Sequence, residues 1–279
     1  MDKELERIIN QHMLQYERQY NIRVLFWALR SSVNIGIKRR NSDLDIMFSY
    51  ISLNGKGCAG IRNIAEYGLD FWGIEIHEIL ETVCQSNKLS YRESKDPVLW
   101  QKTPAHQRGG CNYYFGIYSV IGSPFCQDPY SFIGEASPFL LDMFEPKIAA
   151  WQLLSATKGT IQNIRYFSKN HLYDYLYAIW RLELCRHILQ GGLPGENNIY
   201  GLADKYCSLQ MKEQIQYYLH LYQNTYRKES VFLEIPCFNI FLLDEFPQVE
   251  RLIHLTEYQK KARYERAFAE IKKIIDKIL

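Results

Sequence analysis

The sequence predicts an α+β fold, with strands gathered in the first half of the chain and helices in the second. Two observations carry that expectation. A continuous apolar run at 24–29 reads as a buried strand, and a second strand-like run follows at 44–51. From about residue 141 the apolar positions recur instead at helical spacing, over 146–167, 170–190, 197–226 and 256–279. A chain of 279 residues with 47% hydrophobic and 14% aromatic content can bury one large core or two ordinary ones.

Taken in order, residues 3–20 read as a helix with Leu5, Ile8, Ile9, Leu14 and Tyr16 on or near one face. A strand over Ile22–Leu29 follows, then the turn Ser31-Ser32 and a short helix over 33–37. Lys38-Arg39-Arg40 is a basic triplet that suits either a solvated loop or a phosphate contact. The second strand opens with Asp43-Leu44-Asp45, and Asn54-Gly55-Lys56-Gly57 reads as a turn. Residues 64–72 offer a third strand containing Asp70; Gly73 breaks it, and 74–83 reads as a helix with Glu75 near its positive end. Residues 100–140, rich in Gly, Pro, Tyr and Phe, read as loops with a hairpin around 113–120. Near the end, Thr256 and Gln259 form a capping-box pattern ahead of a helix whose stripe is Tyr264, Phe268, Ile271, Ile275 and Ile278. That stripe suits docking on the core or on a second copy of the chain.

The chemistry points to Asp43 and Asp45. Period-two alternation puts both on one face of their strand, where two carboxylates repel unless a cation lies between them. Hard oxygen ligands of this kind suit Mg²⁺ or Mn²⁺.

The run Arg30-Ser31-Ser32-Val33-Asn34-Ile35-Gly36, followed by Ser42-Asp43-Leu44-Asp45, resembles the DNA polymerase β-like nucleotidyltransferase superfamily. It is most similar to the RNA-ligase-associated branch of predicted bacterial nucleotidyltransferases, which reads Arg-Gly-Ser-x-x-Tyr-Gly and then Ser-Asp-x-Asp. Ser31 stands at the family's glycine and Ile35 at its tyrosine. The similarity continues through Leu69-Asp70-Phe71-Trp72-Gly73-Ile74-Glu75-Ile76 and, on the later helix, Tyr173 to Trp180, Cys185-Arg186-His187-Ile188 and Pro194. The family's basic residues on that helix fall at Asp174 and Trp180, which leaves Lys158 and Arg181 as candidate cations for a triphosphate. The tyrosines of this helix suit core packing or base stacking.

What the resemblance implies is a nucleotidyltransferase domain over 1–145, a small mixed sheet flanked by helices, followed by a helical domain over 146–279. It implies transfer of a nucleoside monophosphate from an NTP or dNTP to a hydroxyl, with two divalent ions held by Asp43, Asp45 and Asp70 and the phosphates cradled by Ser31 and Ser32. Glu75 and Glu78 compete with Asp70 for the third carboxylate. The acceptor stays open between a nucleic-acid 3′-hydroxyl, including template-independent oligomers made in phage defence and primed by a tail tyrosine such as Tyr258 or Tyr264, and a hydroxyl on a partner protein, as in toxin–antitoxin relatives. A catalytically silent nucleotide-binding module is the third alternative.

A net charge of +2 excludes a nucleic-acid coat protein while permitting a local site. No apolar run approaches membrane-spanning length and the first residues are charged, so no membrane span or signal peptide is expected. Seven widely spaced cysteines without a Cys-x-x-Cys suit reduced thiols in a cytoplasm.

Overall fold

A computed structural model describes residues 3–30, 32–39, 42–54, 61–66, 68–81, 83, 117–224, 232–257 and 262–279. It is an α+β chain that divides into two compact units. The first takes residues 1–31, 43–144 and 260–279, and the second takes 32–42 and 145–259. Glu145 begins the main run of the second unit, while the last helix returns to the first unit and the segment after Ser31 joins the second.

In the first unit α1 (Lys3–Tyr20) has Glu4 and Glu6 in its first turn and Arg18 in its last, each matched to the helix dipole. It buries Ile9, Met13 and Tyr16, whereas Leu14, expected on the same face, is 54% exposed. Asn21, at φ 51°, turns the chain into β1 (Ile22–Leu29), as asparagine tolerates. β1 pairs antiparallel with β2 (Leu44–Ser52) across a bulge between Val24 and Phe26.

The expected third strand is in fact a hairpin. β3 (Arg62–Glu66) turns at Gly68, φ +77°, into β4 (Leu69–Glu75). Gly73 does not break the strand. Its missing side chain makes room for the Phe48 ring, since a Cβ there would lie 2.3 Å from Phe48 Cζ, and its N–H bonds to the Ile61 carbonyl at 2.9 Å. β4 lies parallel to β2, and the two-residue β5 (Cys126–Gln127) pairs with β1, so the sheet is mixed, in the order β3-β4-β2-β1-β5.

Alternation assigns the two faces. Trp27, Phe48 and Phe71 lie under α1: Tyr16 meets Phe48 and Phe71 at centroid distances of 5.7 and 5.5 Å, and the Trp27 indole donates to Asn10 Oδ1 at 2.8 Å. The other face is covered by α2 (Phe132–Met143), whose Phe132 stacks on Phe26 at 6.1 Å. This helix lies where loops were expected. Gly134 and Pro138 masked its periodicity, and Asp128 holds its first turn by accepting from the Gly134 N–H at 3.0 Å. Residues 117–120 are likewise helical rather than part of a hairpin; the rest of that expected hairpin lies outside the described residues. The last helix, α8 (Ala262–Ile278), packs on α2 and buries Ala267, Ile271, Ile274 and Ile275; Arg23 donates to its Ile278 carbonyl.

The second unit is helical. Glu145 caps α3 (Pro146–Phe167) with Pro146 in the first turn. The pairing of β6 (Asn170–His171) with β7 (Phe232–Leu233) leads α4 (Leu172–Leu189) through the middle of the unit. α4 is buried on nearly every side, with Tyr175, Tyr177 and Trp180 in the core and only Tyr173 substantially exposed. The expected helix over 197–226 is two, α5 (Ile199–Tyr206) and α6 (Leu209–Asn224), broken at Cys207-Ser208. α7 (Pro236–Leu255) was not expected, because Pro247 sits inside it. Thr256 ends that helix, its hydroxyl donating to the Leu252 carbonyl at 2.9 Å, instead of starting the next one. Residues 32–36 form a turn rather than a helix: Ile37 N–H bonds to the Ser32 carbonyl at 2.8 Å and Gly36 takes φ +84°. The turn is tied down by Ile199 N–H on the Ile35 carbonyl and by Gln223 on the Gly36 carbonyl, at 2.9 and 3.1 Å.

Candidate active site

Leu44 and Ile46 on β2, and Leu69 and Phe71 on β4, alternate toward the α1 side; Ile46, Leu69 and Phe71 are buried there. That burial turns the intervening Asp45 and Asp70 to the opposite face. Asp45 and Asp70 are register partners on neighbouring parallel strands, so their Cα atoms stand about 4.8 Å apart. Both are half-buried. Asp43, exposed, precedes β2 and lies beside Gly68, where an added Cβ would meet its Oδ1 at 4.0 Å. The Leu44 N–H on the Gly68 carbonyl, 3.0 Å, closes this end of the sheet.

The row continues onto β1. Its register ends at Leu29 opposite Ile46, and the next N–H, that of Arg30, bonds to the Asp45 carbonyl at 2.8 Å. Arg30, Asp45 and Asp70 therefore share one row and one face, with Trp72 in the next row on β4. The Arg30 guanidinium lies over the Trp72 ring, 4.2 Å from its centroid. Arg30 stood at the head of the sequence motif, but its part in the row follows only from strand register.

Glu75 is separated from this group. It pairs with Tyr50 on the opposite face, about 16 Å along the strand from Asp70 at 3.3 Å per residue. Its carboxylate accepts from the N–H groups of His77 and Glu78 at 2.7 and 3.3 Å, capping the helical residues that follow, as expected. Burial pushes its pKa above the ordinary carboxylate value. Glu78 is exposed on those helical residues.

The donor chemistry fits a hard divalent cation: two carboxylates side by side on one face, with a third on the adjoining row. As they stand, no three His, Cys, Asp or Glu side chains among the described residues are close enough together to hold an ion.

The remaining expected residues fall elsewhere. Ser31 lies outside the described residues, as do Arg40, Tyr258 and the turn over 55–57; Tyr264 falls in α8, with only its backbone described. Ser32, Lys158 and Arg181 belong to the second unit. Lys158 is exposed on α3. Arg181 donates to the Ala156 carbonyl at 3.2 Å and lies 5.4 Å from the Tyr177 ring centroid, and burial lowers its pKa. Arg39 lies 5.4 Å from the Tyr222 ring centroid. Trp180, at the position of a family cation, is core, its indole donating to the Asn197 carbonyl at 2.6 Å.

No family model matches this chain, and neither a curated protein nor a solved structure is significantly similar to it. No helix among the described residues is long and apolar enough to cross a membrane.

Proposed function

We propose that the chain is a metal-dependent nucleotidyltransferase, moving a nucleoside monophosphate from an NTP or dNTP to a hydroxyl acceptor. The observation that supports this is the parallel register of Asp45 with Asp70, with Asp43 on the adjoining row. Asp45 and Asp70 are register partners on a part-exposed sheet face, and Asp43 lies beside Gly68 where the chain enters β2. Asp43, Asp45 and Asp70 would hold the divalent ions, Mg²⁺ or Mn²⁺. Such ions, when bound, offset triphosphate charge and favour deprotonation of the attacking hydroxyl.

The protein's own contribution is positional. Rigid strands fix Asp45 and Asp70, and Asp43 sits where the chain enters β2. The acceptor oxygen bonds to the α-phosphorus, the α–β bridging bond breaks, and pyrophosphate leaves, with no covalent enzyme intermediate. The second unit's Ser32, Lys158 and Arg181 are not needed for this reading.

The test is incubation of the purified protein with each labelled NTP and dNTP in Mg²⁺, with and without EDTA. A ladder identifies oligonucleotide synthesis and a labelled protein band identifies modification of a partner or of the chain itself. No product with any nucleotide refutes transfer.

A further inference from the structure

Arg30 directly follows β1 and Trp72 stands on β4, with β2 between them. The two strands are about 9.6 Å apart, twice the spacing of neighbours. For the guanidinium to lie 4.2 Å from the Trp72 centroid, the two side chains must meet above β2, on the face that carries Asp45 and Asp70. There the Trp72 ring holds a fixed positive charge beside two carboxylates that would otherwise repel each other. An arginine at this position stays charged at any physiological pH.

We infer that Arg30 is the resident counter-cation of the carboxylate row, and that a divalent ion binds Asp45 and Asp70 in competition with it. This rests on reading the row as a cation site. The guanidinium keeps the acids together before an ion arrives and sets the threshold at which one binds. A divalent ion entering the row meets the repulsion of a unit charge held on the same face of the sheet. The site is thereby tuned toward weak binding, so that an ion arriving with a triphosphate, whose own negative charge offsets Arg30, is favoured over the free ion.

The experiment is Mn²⁺ binding to the full chain without nucleotide, followed by the paramagnetic resonance signal of free Mn²⁺. Arg30→Gln keeps a planar head against Trp72 and removes the charge; Arg30→Lys keeps the charge. Thermal unfolding checks that each variant folds. In low salt Arg30→Gln is expected to bind Mn²⁺ about tenfold more tightly than the unaltered chain, a difference that shrinks as salt is added. Arg30→Lys is expected to stay near the unaltered affinity, and Asp45→Asn placed on Arg30→Gln is expected to abolish the gain. Equal or weaker binding by Arg30→Gln overturns the inference and leaves the carboxylates' role intact. Retention of the gain in the Asp45→Asn double variant overturns it as well, because the ion then sits elsewhere. No Mn²⁺ binding by either the unaltered chain or Arg30→Gln removes both the inference and the metal-dependent reading beneath it.

Discussion

Glu183 makes stability fall as pH rises. It lies on α4 in the middle of the second unit, 1% exposed, and neither carboxylate oxygen has a hydrogen-bond partner among the described residues. Burial pushes its pKa from the ordinary 4.5 up to about 7, against the opposing pull of Arg186. A carboxyl whose folded pKa is raised binds more protons folded than unfolded between those two values. Its contribution to stability is therefore full below about pH 4.5 and is lost as pH climbs through about 7. Between 4.5 and about 7, at 1.36 kcal/mol per tenfold change in proton concentration, the loss reaches about 3 kcal/mol at most. Glu183→Gln removes the titrating group but leaves an amide that is itself short of partners, so the slope with pH is the proper readout, not absolute stability. Urea unfolding of both proteins between pH 5 and 8 is expected to show the original chain losing about 2–3 kcal/mol more than Glu183→Gln across that range. Identical slopes in the two proteins would falsify the assignment of this burial cost to Glu183.

Asp45→Asn and Asp43→Asn are expected to abolish nucleotide transfer while thermal unfolding shows that each variant still folds; full activity in both variants sinks the proposed site. Asp70→Ala is expected to lose transfer. Glu75→Ala should keep it but lose about 0.5–2 kcal/mol of stability with the cap, and an inactive, fully stable Glu75→Ala would reverse the assignment. Gly73→Ala drives a methyl group into the Phe48 ring and is expected to cost about 1–3 kcal/mol by chemical denaturation; an unchanged midpoint would mean that the ring can move aside.

The first strand was legible because residues 24–29 are an unbroken apolar run between Arg23 and Arg30, with Ile22 just ahead of it, and its bounds match the structure. Glycine and proline misled wherever they serve packing or are tolerated inside an element. Gly73 accommodates an aromatic ring in mid-strand, while Pro138 and Pro247 ride inside helices whose other turns are held by buried Leu140, Leu242 and Val249. Within the candidate site, the expectation that Asp43 and Asp45 share a face rests on alternation alone, although Asp43 precedes β2. The pairing of Asp45 with Asp70 does not, because it depends on β4 lying parallel to β2 with β3 turned outside it. The place of Arg30 is harder still to read, since it needs two strand registers at once and the aromatic ring that draws the side chain across β2.

The return of α8 to the first unit has a bearing on how the chain matures on the ribosome. The sheet and α2 emerge early, and the whole second unit is synthesised before the helix that packs on α2 appears. During that interval the helical unit can close by itself, while α2 waits with an apolar flank open to water or to a chaperone. Stop codons or frameshifts that strike just before Ala262 would therefore spare the helical unit yet leave the sheet-bearing unit without its last helix and prone to clump.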